Sequence, residues 1–126
     1  MGTKIRIAAG KVIVEALLRD DSPSVAALLQ ALPFDSRAAT WGEEVYFEAP
    51  LNLDLEPDAR QVVEPGTVCF WTEGSSIALP FGRTPISGAD GKPRLAARCN
   101  VIGTLTGNPR DLAKVKSGDR IRVEAA

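Results

Sequence analysis

Histidine is absent from the whole chain of 126 residues. That one gap excludes Ser-His-Asp triads, Cys-His dyads, His-ligated zinc and haem with a histidine axial ligand. Cysteine is scarce: Cys69 and Cys99 lie far apart, with no CxxC spacing, so they cannot complete a four-ligand zinc site. No specific zinc or transition metal, and no cofactor, is expected. Each thiol stands in an apolar stretch and reads as reduced and buried, since a disulfide needs an oxidising compartment. Charge of one sign is not in excess: 15 Lys+Arg face 16 Asp+Glu, a net charge of −1. This balance argues against a nucleic-acid partner. With 44% hydrophobic residues it also argues against disorder. Long apolar runs are missing too, the longest helical one being Val25 to Leu32, far short of the ~20 residues of a membrane span. The N-terminus has no signal-peptide pattern, and Arg6 stands where a myristoylation motif wants Ser or Thr. A cytoplasmic protein without a membrane partner is the expectation.

Phosphate-binding signatures are also lacking. Gly88-Ala89-Asp90-Gly91-Lys92-Pro93 has the wrong spacing for a Walker loop, and Pro93 replaces its Ser or Thr. No nucleophile elbow, dinucleotide fingerprint or EF-hand pattern occurs.

What is present describes one domain over residues 1–126. One main helix is predicted, with Ser22 as N-cap, Pro23 in the first turn, and Val25, Leu28, Leu29 and Leu32 at helical spacing before Pro33. A short second helix is predicted from Pro109 to Val115, capped by Asn108. Strand patterns fill most of the rest: Lys4 to Ala9, Lys11 to Leu18, Glu43 to Glu48, Leu51 to Leu55, Thr67 to Trp71, Ser76 to Phe81, Ala97 to Leu105 and Arg120 to Glu124. Alternation places Val45, Phe47, Val68 and Phe70 inside. So many strands with one main helix favour a mainly β fold, a closed barrel of about eight strands with the helix over an open end.

Trp41-Gly42-Glu43-Glu44-Val45-Tyr46-Phe47, Val68-Cys69-Phe70-Trp71 followed by Leu79-Pro80-Phe81-Gly82-Arg83-Thr84-Pro85, and Asn100-Val101-Ile102-Gly103 carry a resemblance. In this order they resemble the small bacterial and archaeal cyclophilin-like domain family, over essentially the whole chain. The resemblance implies a closed eight-stranded barrel capped by helices, the fold of cyclophilin-type prolyl isomerases, in a family without an established activity. The chain departs from the catalytic pattern. Where classical cyclophilins carry Phe-His-Arg, the similar segment here is Tyr46-Phe47-Glu48, with a carboxylate and no arginine, and no Gln-Gly-Gly follows. Cys99 and Asn100 stand where a histidine precedes the strand similar to Val101–Leu105. Classical prolyl isomerase activity is therefore not expected.

Six residues are the candidates for a ligand site: Trp41, Glu44, Tyr46, Trp71, Phe81 and Arg83. Glu43 and Glu44 are adjacent on a strand and face opposite ways, so they cannot easily serve as an acid/base pair. Glu44 and Glu48 share a face with Tyr46 and suit a cation or a hydrogen-bond donor, or else form a solvated outer face. Trp71 either lines a pocket or covers a barrel end. Arg83 either clamps a carboxylate or phosphate, or is a surface arginine paired with a carboxylate such as Glu44. The reading is a barrel that binds a small molecule or extended peptide in an outer groove. The alternatives are a prolyl isomerase with non-classical residues and a protein-interaction module.

Overall fold

The computed structural model describes residues 2–126. Strict alternation builds the first hairpin: β1 (Thr3–Ala9) buries Ile5, Ile7 and Ala9, and β2 (Val12–Leu18) buries Val14, Ala16 and Leu18 on the same side. Gly10 turns the chain between them at φ 59°, a left-handed conformation that favours glycine. The predicted helix forms as α1 (Pro23–Ala31), where Ser22 Oγ accepts the N–H of Val25 at 3.3 Å. Val25 and Leu28 enter the core from it. The second predicted helix is one 3-10 segment, Pro109–Lys114, with the Asn108 side-chain Oδ1 accepting the N–H of Arg110 at 3.0 Å.

Among the described residues ten strands form rather than about eight. The additional ones are β3 (Phe34–Arg37), β4 (Ala39–Thr40) and β6 (Arg60–Val62), all too short to show alternation. The others are β5 (Glu44–Glu48), β7 (Thr67–Trp71), β8 (Ser76–Pro80), β9 (Arg94–Leu105) and β10 (Arg120–Ala125). The main sheet runs β3-β10-β1-β2-β9-β7-β8-β5-β4. This path has two ends, so the sheet is mainly β as expected but is not a closed barrel. The edge strands β3 and β4 are separated in sequence by Ala38 alone. Ala38 donates to the carbonyl of Asp119 and accepts from Gly118, both at 2.8 Å. The backbone at this corner therefore bonds to the turn before β10, and covalent chain rather than a hydrogen-bonded ladder links the two edges.

Leu51 to Leu55 does not form the expected strand. Leu51 and Leu53 pack against the main core, which explains the alternation, but the segment meets no free strand edge. Its end is held by a side chain instead: Asn100, wholly buried on β9, accepts the N–H of Glu56 at 2.7 Å and donates to Asp54 O at 3.0 Å and Ser24 Oγ at 2.9 Å. Glu56 in turn accepts from the hydroxyl of Ser22 at 2.7 Å and the N–H of Ser24 at 3.3 Å. Loop, helix N-terminus and β9 thus form one network.

Strand β9 serves two sheets. Its first half pairs with β6, outside the main path, and its second half pairs with β7 and β2. A bulge sets Val68 opposite Gly103 and Cys69 opposite Val101, leaving Ile102 as the extra residue. The strand period resets there, so Ile102 and Leu105, three apart, both reach the main core. Val45, Phe47, Val68 and Phe70 lie in that core as expected. The opposite faces of β7 and β8 are buried as well: Cys69 and Ala78 pack with Val63, Leu95 and Cys99 in a second cluster, beneath β6 and the first half of β9.

Truncating Asn100 removes the partner of the part-buried Glu56 N–H and of the buried Ser24 hydroxyl. Asn100→Ala is expected to cost about 2–4 kcal/mol in chemical denaturation and to release the Glu56 amide to hydrogen exchange ahead of the β1 and β2 amides. Unchanged protection at Glu56 would show that the loop is held by its leucines instead.

Candidate functional site

A cavity of about 260 Å³ lies between the outward face of the main sheet and the first half of β9. Strand β5 supplies Glu44 and Tyr46, β7 supplies Trp71, β8 supplies Ala78, and Trp41 enters from the turn after β4. Leu95, Ala96 and Cys99 of β9 form the covering wall. The local geometry follows from the sequence. Residues 44 and 46 share one face of β5, Val45 and Phe47 take the other, and Gly42 turns the chain from β4 at φ 60°. Gly74 leaves room for the Trp71 indole, because any side chain at 74 would overlap the ring.

Two polar atoms on these walls are buried and have no hydrogen-bond partner among the described residues: Glu44 Oε1 and Trp71 Nε1. Glu44 is 6% exposed, and no Lys or Arg lines the cavity with it. Burial disfavours its charged form and pushes its pKa from an ordinary 4.5 up to about 7. Its neighbour Glu43 behaves in the opposite way. It faces outward, bonds to Arg110 at 2.8 Å and accepts the N–H of Arg83 at 3.0 Å, and these contacts hold its carboxyl below the usual range. Adjacent carboxyls thus occupy opposite electrostatic environments: Glu43 lies in the turn before β5 and bonds outward, while Glu44 opens the strand and points under β9.

Cys69 and Cys99 are free and buried. Burial, reinforced by Glu44 and Glu73, pushes the Cys99 thiol up to about 12. Cys69 is raised by burial first and then by Cys99 and Glu44. Both thiols therefore stay protonated rather than serving as nucleophiles; Cys99 forms part of the cavity wall and Cys69 packs in the second cluster. Among the described residues no group of three or more His, Cys, Asp or Glu side chains is placed to hold a metal ion.

Of the six candidate residues, the structure brings together Trp41, Glu44, Tyr46 and Trp71. Phe81 and Arg83 are elsewhere. Phe81 is buried in the main core, with the Arg110 guanidinium 5.4 Å from its ring centroid. Arg83 is exposed and donates to the Gly88 carbonyl at 3.3 Å, and among the described residues its guanidinium bridges to no carboxylate, Glu44 included. The two readings of Glu44 and Glu48, a joint site with Tyr46 or a solvated outer face, divide between the residues, because only Glu44 lines the cavity. Glu48 is exposed at the far end of β5, while Glu44 is covered by β9. Sequence reasoning missed Ala78, Leu95, Ala96 and Cys99. The signal available was the same-face spacing of Leu95 and Cys99, hidden because the strand was expected to begin at Ala97.

A mainly β domain with a covered cavity on the outward face of its sheet is the class that fold and site define. The chain belongs to the cyclophilin-like family, whose model matches residues 3–124. It is also similar to a hypothetical protein from Archaeoglobus fulgidus, known from a solution structure. The two are 36% identical with a TM-score of 0.84, over 99% of this chain and 95% of that one. No curated protein matches. Among the described residues no helix is long and apolar enough to cross a membrane.

The raised Glu44 pKa makes stability depend on pH. Between pH 4.5 and about 7 the folded state keeps a proton that the unfolded state has lost, so stability falls as pH rises and levels off above 7. Glu44→Gln removes this contribution. Relative to wild type the variant is expected to gain stability between pH 5 and pH 8, by on the order of 3 kcal/mol at most. Urea titrations of both proteins across that range test it, and a constant difference would place Glu44 in a water-like setting.

Proposed function

We propose that the protein binds a small molecule in the cavity lined by Trp41, Glu44, Tyr46 and Trp71, and that it does not work as a classical prolyl isomerase. The observation that carries this is the pair of buried, unpartnered polar atoms, Glu44 Oε1 and Trp71 Nε1, on the walls of one cavity. A buried donor or acceptor left unpaired costs about 1–3 kcal/mol. Two such costs in one largely apolar cavity are offset when a ligand supplies the missing partners. The proposed setting is the cytoplasm, a reading that the free, buried Cys69 and Cys99 support.

Cyclophilin-type catalysis needs a cationic donor at the prolyl nitrogen as the amide loses resonance, and donors of this kind are worth orders of magnitude in rate. Arg83 was the one cation in the family-like motifs near the site, and its guanidinium is held at Gly88 instead. In a protease-coupled assay on an Ala-Pro peptide, wild-type turnover is expected at the uncatalysed rate, with a gain in Glu48→Arg. Robust wild-type turnover would overturn this half of the reading.

Binding is tested by thermal shift against a panel of fragment-sized amines, alcohols, acids and proline-containing peptides. A ligand at a hundredfold excess over its Kd adds about 2.7 kcal/mol, a shift of several degrees for this size. Binders are expected to move the indole N–H resonance of Trp71 and to lose affinity in Ala96→Trp, which narrows the mouth. Binders that leave that resonance unmoved would place the ligand elsewhere.

A further inference from the structure

The cavity offers one carboxyl, one indole N–H and otherwise aromatic, aliphatic and thiol walls. Its charge is one-sided. Among the described residues no cation lines it: Arg94 and Arg98, adjacent in sequence to Leu95 and Cys99, are exposed and outside the lining, and Arg83 and the Arg110 that pairs with Glu43 are engaged elsewhere. The field of Glu73, in the turn after β7, reaches Cys99 on the opposite wall and adds negative charge on that side. The groups that face Glu44 are Tyr46 on its own strand, Cys69 on β7 and Cys99 on β9, and none of them is a cation. An anionic ligand meets repulsion here. A neutral one gains a hydrogen bond but no charge. An organic cation gains both a Coulomb partner in a partly dry site and the attraction of aromatic rings for positive charge.

Resting on the binding role proposed above, we infer that the cavity selects a small organic ammonium ion, its N–H group on Glu44 between the aromatic side chains of Trp41, Tyr46 and Trp71, with an acceptor atom of the same molecule on the Trp71 indole N–H. At about 260 Å³ the cavity suits a small molecule such as an aryl-alkyl amine. Two consequences follow from the electrostatics. Affinity for the ammonium rises from pH 6 to pH 8, because the ligand needs the ionised carboxyl that burial resists. Binding near pH 7 also releases protons, since the cation restores the charge of Glu44.

Three probes share a phenol end, which supplies the acceptor, and differ only in the polar group: tyramine, tyrosol and hydroxyphenylacetate. Calorimetry at pH 7.5 is expected to rank tyramine about tenfold or more above tyrosol, with hydroxyphenylacetate weakest. Tyramine binding should release protons in buffers of differing ionisation enthalpy. In Glu44→Gln the preference for tyramine over tyrosol disappears while tyrosol still binds, and the pH dependence goes with it. Tyrosol or hydroxyphenylacetate binding as tightly as tyramine to the wild type would overturn the ammonium inference and leave the cavity standing as a binding site. Failure of all three to move the Trp71 indole resonance would overturn both readings.

Discussion

The sheet is buried on both faces where β5, β7 and β8 run side by side, and the site depends on that constraint. With a side-chain period of two, each strand divides its residues between two environments. Val45, Phe47, Val68, Phe70, Ile77 and Leu79 fill the main core, where each large side chain contributes roughly 1.5–3 kcal/mol by leaving water. Cys69 and Ala78 are sent to the second cluster, with Tyr46 and Trp71 packed against it. A one-residue slip in β5 would exchange Glu44 for Val45 and place a carboxyl in the main core, which makes the register costly to lose. The cavity is what remains where the outward residues and the covering half of β9 do not meet.

That cover exists because β9 is long and bulged. The bulge at Ile102 lets the strand leave the main sheet and pair with β6, carrying Leu95 and Cys99 over the outward face of β7 and β8. Beside the bulge, Asn100 reaches the helix N-terminus and the loop before β6 with three hydrogen bonds. One buried amide therefore aligns the elements on either side of β6.

The family-like motifs gain a structural explanation from the same packing. The Trp41-Gly42-Glu43 and Phe81-Gly82-Arg83 segments lie against each other: Glu43 donates to the Arg83 carbonyl and Phe81 donates to the Glu43 carbonyl, each at 2.8 Å. A side chain at Gly42 would meet Arg83 O and Pro85, and one at Gly82 would meet the Glu43 carboxyl. Arg83 and Phe81 therefore belong to the joint between two segments rather than to the cavity. Residues of striking chemistry in a motif serve packing here, and the cavity takes its character from the quieter Glu44 and Ala78.

Alternation, capping and composition determined the mainly β class, the helix at Ser22, the inward set on β5 and β7, and the burial of both thiols. These are local properties, written in residue spacing and in side-chain chemistry near the backbone they serve. Four of the six candidate residues meet in the cavity because large aromatics and a carboxyl on one strand face were legible in the same way. Other features had no local signal. The short strands β3, β4 and β6 form only because a partner edge is presented to them, and Leu51–Leu55 lacks such an edge despite its pattern. Whether an outward face meets water or a second layer is decided by where β9 runs, a contact between residues some fifty positions apart such as Glu44 and Cys99. Sequence placed Glu44 outward; only the tertiary structure, by laying β9 across it, turned an ordinary surface carboxylate into a buried one, because desolvation depends on what covers a group and not on its neighbours in the chain.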